Sequence, residues 1–211
     1  MDINDAKKLF DEILEANRDR HAPVKVGQKL TLEHEKRHAH DVLQWVEQLD
    51  SGATIETRIA ALFHDVDRIV NPERARRSKY DRRSPEYFEH KKAHAQRSAD
   101  YIGPVLLAKG VPQRSVDKIE FLIIHHDDQE KEVLSHNDKE LDLLVAADSL
   151  SFFESFAINL LEELGEEQVR GKIEFMLAKM PERFRSHLKK IHLNHELLDR
   201  IKNETLAKLR T

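Results

Sequence analysis

The chain contains no cysteine. Disulfides, thiolate metal ligands and cysteine nucleophiles are thereby excluded, and any bound metal must be held by His, Asp or Glu. Glycine and proline are scarce, six of each in 211 residues, and no segment shows the period-two alternation of a strand. Apolar residues instead recur at spacings of three and four, so the predicted fold class is all-α. No window approaches the roughly 18–20 apolar residues of a membrane span, and the charged N-terminus lacks the apolar stretch of a signal peptide. A soluble, cytoplasmic chain without a membrane partner is therefore expected. Positive charge is not in excess either. With 35 basic and 39 acidic residues the net charge is −4, which speaks against general binding to nucleic acid.

The length and a 39% hydrophobic content suit one substantial core, and a single domain over residues 1–211 is expected. The first helix carries Ile3, Ala6, Leu9, Phe10, Ile13 and Leu14 on one stripe. Further helices are expected over about 31–49, 55–66, from Ser84-Pro85 onward, 115–126, 139–161, 167–179 and 181–209. Gly103-Pro104 should stop or kink the one that begins at Ser84-Pro85, and residues 127–138 read as a polar loop. Charge is unevenly spread. Between Arg68 and Lys92 nine basic residues face four acids, and the arginines from Arg74 to Arg83 are read as a candidate anion-attracting lid.

Histidines supply the strongest chemical signal. Of thirteen, eight fall between residues 34 and 126. His34 and His38 share a helix face, whereas His40 points away from it. An apolar run, Ile59 to Phe63, delivers His64 and Asp65 into expected burial. Asp148 lies between Leu143-Leu144-Val145-Ala146-Ala147 and Leu150 to Phe153, where a carboxylate needs a cation or a metal. Phe121 to Ile124 leads likewise into His125-His126. Imidazole with carboxylate favours Mn, Fe, Zn or Ni over calcium, with Mg also retained.

The order His38, then His64-Asp65 after an apolar helix, then His125-His126, then Asp148 in Val-Ala-Ala-Asp-Ser-Leu resembles the H…HD…D signature of the HD-domain superfamily of metal-dependent phosphohydrolases. The resemblance spans about residues 31–155, with His38 26 residues before His64 and Asp148 83 residues after Asp65. It implies an HD-type helical bundle in which His38, His64, Asp65 and Asp148 hold one divalent metal. It also implies an optional second ion at His94 and His125. His126 is the weaker alternative to His125, and His34, one turn before His38, is a further weak candidate. His125-His126 is followed by DDQEKE without a Gly-Tyr-Pro element, which removes cyclic dinucleotide hydrolysis from the expectation. Residues from about 165 to 209 read as packing helices or a homo-oligomer contact. His40, His90 and His136 read as surface or supporting residues.

The expected function is hydrolysis of a small phosphorylated substrate, a nucleotide foremost, by a metal-activated water. Asp65, Asp67 and Arg68 are its catalytic candidates: Asp67 as general acid or base, Arg68 as a clamp on a phosphoryl oxygen. Two other readings use the same residues. One is an HD-type di-iron oxygenase; the other is a non-catalytic regulatory protein that binds a metal or a nucleotide.

Overall fold

A computed structural model describes residues 1–21, 31–72 and 81–209. Every regular element among them is helical. Helix α1 (Ile3–Ala16) begins at a capping box of Asp2 and Asp5, and α2 (Leu32–Leu49) begins at a second one made by Thr31 and His34. Helix α3 (Ile55–Phe63), capped by Thr54, passes through a turn into the short α4 (Asp67–Val70). Helix α5 (Pro85–Ala108) is capped by Ser84 with Pro85 in its first turn. Helix α6 (Gln113–His125) packs along α5, and the short α7 (Glu130–Ser135) follows. Helix α8 (Lys139–Ser151) runs through a π-turn, Phe152–Phe156, into α9 (Ala157–Leu164). Helix α10 (Glu166–Lys179), a 3-10 segment Glu182–Lys190 and α11 (Glu196–Lys208) complete the chain.

The all-α expectation holds, but four boundaries need correction. Gly103-Pro104 does not stop α5. A methyl at Gly103 would overlap the Glu120 carboxyl of α6, so this glycine gives room for close helix approach rather than a break. The expected loop at 127–138 contains α7, closed by a left-handed Asn137 with φ 49°. The expected helix 139–161 is interrupted where Ala157 N–H bonds Phe152 O, five residues back. The expected helix 181–209 is broken around Asn194, at φ 50°, where the Lys202 ammonium takes over Ile191 O at 2.5 Å. Of the lid arginines, Arg74, Arg76 and Arg77 lie outside the described residues, as does Lys79.

Burial follows the apolar stripes. One cluster gathers α1, α2, α3, α6 and the start of α8; a second gathers the π-turn, α9, α10 and α11, with Trp45 and Leu49 packed against both. Helix α8 is apolar all round and belongs to both clusters. Its second half runs between the two clusters, and the buried Asp148 stands there. No helix among the described residues is long and apolar enough to cross a membrane.

Candidate metal centre

Four side chains from three parts of the chain converge between α2, α3 and α8. His38 comes from the first half of α2, His64 and Asp65 from the turn ending α3, and Asp148 from α8. All are buried. His38 Nε2 lies 3.2 Å from His64 Nε2 and 3.2 Å from Asp148 Oδ1. Asp65 Oδ2 stands 3.6 Å from each of these two Nε2 atoms, and His64 Nε2 is 3.7 Å from Asp148 Oδ1. Donors bound about 2.0–2.2 Å from one ion stand roughly 3.0–3.6 Å apart. The residues therefore fit a metal ion.

The ring hydrogen bonds support the same reading. His64 Nδ1 lies 2.9 Å from Ala61 O; a carbonyl only accepts, so Nδ1 carries the proton and Nε2 presents its lone pair. His38 Nδ1 meets Ser151 Oγ at 3.0 Å, which orients that ring in the same sense. Two imidazole nitrogens this close share either a proton or a metal ion. Burial pushes His38 below the usual histidine range, while the Asp65 and Asp148 carboxylates hold His64 above it despite burial. Phe156, from the π-turn, packs edge-on against His38 at 4.9 Å and shields that side.

Each carboxylate keeps a second contact that aims it. Asp148 Oδ2 accepts from Lys179 at 2.6 Å, and Asp65 Oδ2 pairs with Arg68 at 2.7 Å. Asp65 Oδ1 meets His94 Nε2 at 2.6 Å. Such outer partners fix ligand orientation. Although burial opposes ionisation, neighbouring positive charge holds Asp65 and Asp148 well below the ordinary carboxylate range.

The other expected residues divide. His94 is present, clamped between Asp65 and Asp67, with its Nδ1 2.9 Å from Asp67 Oδ2. Asp67 is wholly enclosed and held by Arg97 Nε and Nη2 and by Asn71. It therefore acts on the site through His94 and does not face the pocket. The preference for His125 over His126 is corrected. His126 Nε2 lies 3.8 Å from Asp65 Oδ1 and 3.1 Å from Asp127 Oδ2, whereas His125 is turned toward Asp128. Adjacent residues at a helix end point about 100° apart, so only one of the pair can face inward. His34 serves the α2 capping box, its Nδ1 meeting Thr31 N–H at 3.1 Å.

Three functional neighbours escaped the sequence reading. Lys179, on α10, is buried with its ammonium between Asp148 and Asp127, the latter at 2.8 Å. Lys91 pairs with Asp127 from α5. Lys172 lies in an aromatic setting, 4.7 Å from the Phe175 ring centre and 3.3 Å from Tyr87 Oη. The C-terminal helices are thus more than packing elements. An enclosed lysine on a helix gives no periodic signal until the opposing carboxylates are known.

The cluster opens into a pocket of about 670 Å³, its mouth included. Arg68, Arg82, Lys91 and Lys172 line it, with Tyr87, Phe152 and Phe156 forming apolar wall. Arg82 lies over Tyr87 at 5.0 Å. Burial and the charge of Lys91 bring His90, on the same wall, down to about 4, so its imidazole is neutral near pH 7.

Fold and site together define an all-α protein with a buried two-histidine, two-aspartate centre at the base of a cationic pocket. The sequence matches the family described as a domain of unknown function, DUF4202, over residues 5–201, and the chain belongs to that family. No curated protein and no solved structure matches it significantly.

Proposed function

We propose that the protein is a metal-dependent phosphohydrolase acting on a small phosphorylated substrate, with a nucleotide as the leading candidate class. One observation carries this reading: His38 and Asp148 of the four-residue donor cluster line a pocket whose wall also carries the cations Arg68, Arg82 and Lys91. A divalent ion held there would supply Lewis-acid polarisation and a more acidic water. Similarity of ligand order to the HD-domain superfamily points the same way.

The chain's own groups have separable tasks. Arg68 stays charged beside Asp65 and Glu35, holds the Asp65 carboxylate in place, and offers its remaining N–H groups toward the pocket. Arg82 attracts the substrate's negative charge; Lys172, held well below the usual lysine range by burial and by Lys91, offers a hydrogen-bonding amine; and Tyr87 and Phe152 cover the substrate's apolar part. Neutral His90 provides a hydrogen-bonding group without adding charge. His94 links Asp65 to Asp67 and Arg97, so a proton can be held at His94 between the two carboxylates.

The test is metal analysis of the purified protein followed by a phosphatase and phosphodiesterase screen with that metal. Asp148→Asn or His64→Ala should remove bound metal and lower turnover at least 1,000-fold, an order-of-magnitude expectation for lost metal catalysis (roughly 4 kcal/mol). Full activity in either variant would overturn the proposal. A second reading draws on Asp65, whose Oδ2 faces His38 and His64 while Oδ1 faces His94 and His126. A carboxylate so placed also suits two irons and dioxygen chemistry. Dioxygen-dependent turnover with iron would establish that alternative; anaerobic hydrolysis with Mn or Mg would dismiss it.

A further inference from the structure

A separate set of donors has no part in the proposed reaction. His125, Asp128 and His136 bring ligand atoms within 4.8 Å of one another and share no residue with the central cluster. His125 Nδ1 lies 2.6 Å from Asp128 Oδ2, and His136 Nε2 lies 3.6 Å from the same oxygen. The two imidazole rings stand 4.2 Å apart, with Phe121 against both.

The backbone fixes these positions. His125 is the last residue of α6, Asp128 N–H bonds His125 O at 3.1 Å, and His136 caps α7 before the left-handed Asn137. Asp128 is only 6% exposed, yet its carboxylate meets two imidazoles; the nearby Lys92 ammonium is engaged with Glu132 at 2.9 Å. An enclosed carboxylate between two imidazoles is a donor set for a transition ion.

We propose that His125, Asp128 and His136 form a second, outward-facing site for a transition-metal ion of the zinc class. Two imidazoles with one carboxylate select zinc, copper, nickel or cobalt over calcium and magnesium. Both rings are about one quarter exposed, at 28% and 26%, so water completes the coordination. Binding replaces the hydrogen-bonded proton between His125 and Asp128 and moves those two atoms apart by roughly half an ångström. The ligands bracket His126 and Asp127, the inward-facing pair, so the ion would brace the turn that carries them. This site does not depend on the proposed reaction.

Zinc uptake by the metal-stripped full chain, measured by equilibrium dialysis, tests the site against His136→Asn, His125→Gln and Asp148→Asn. Both histidine variants should bind one zinc fewer than wild type, and the Asp148 variant should lose a different ion. Uptake equal to wild type in either histidine variant overturns the inference. Folding of each variant is checked by circular dichroism. Should a variant not fold, the wild-type imidazole 15N signals decide: those of His125 and His136 move on adding zinc if the site exists and stay fixed if it does not. Loss confined to the Asp148 variant would leave the central reading standing and remove this one.

Discussion

Asp67 shows how a side chain can matter without facing substrate. It is an enclosed link in a chain from Arg97 through Asp67 and His94 to Asp65, and its hydrogen bonds from His94, Arg97 and Asn71 lower it from 3.8 to about 2 against the cost of burial. A carboxylate depressed on folding stabilises the native state above its unfolded value and loses that contribution as pH falls through the folded one. The stabilisation is therefore complete above about pH 5 and disappears between roughly pH 4 and 2, amounting to about 2 kcal/mol. Urea unfolding of wild type and Asp67→Asn across that window checks it. The gap between the two proteins should be widest near neutral pH and close toward pH 2. A gap independent of pH would show that Asp67 contributes by packing alone. At this scale the sequence displayed His38, His64, Asp65 and Asp148 well, because burial of charge in apolar runs is visible in one dimension. The inward choice of His126 was not visible, since it depends on where α6 ends.

Helical periodicity revealed most elements, and the misplaced boundaries share a cause: tertiary packing overrode a local signal. Gly103-Pro104 reads as a stop until α6 is seen pressed against it, and the π-turn after α8 has no breaker residue at all. That π-turn shifts the phase of the helix, bringing Phe156 onto His38 while Phe152 lines the pocket wall. Helix α10 meets the pocket at Gly171, where an added Cβ would stand 3.0 Å from Arg82 Cβ. Gly171→Val should therefore push Arg82 from the wall. The expected result is a rise in KM for a phosphorylated substrate of about tenfold, or roughly 1.4 kcal/mol, with kcat little changed. Steady-state kinetics decides the point; an unchanged KM would show that Arg82 does not meet the substrate.

For the molecule as a whole, the central donors lie far apart in the chain, at residues 38, 64, 65 and 148. An ion that binds only the folded arrangement adds about 2.7 kcal/mol at a hundredfold excess over its Kd. For a chain of this size that corresponds to roughly 5–10 °C in Tm. Thermal unfolding with and without chelator should show the shift in wild type and not in Asp148→Asn. Equal Tm values for chelated and loaded wild type would argue against a centre that spans these helices. The net charge gave no hint of the pocket, because Arg68 and Lys91 are balanced by the buried Asp65 and Asp127 beside them.

Lys179 adds a constraint in time. A chain emerging from the ribosome has all four central donors once residue 148 is out, but the lysine that pairs with Asp148 arrives only with α10. Until then the Asp148 carboxylate lacks its lysine partner, and enclosing it is costly. Completion of the centre is thus coupled to synthesis of a helix that donates no ligand. A nascent chain halted before Lys179 should remain open to chelators, while the finished chain closes over its ion.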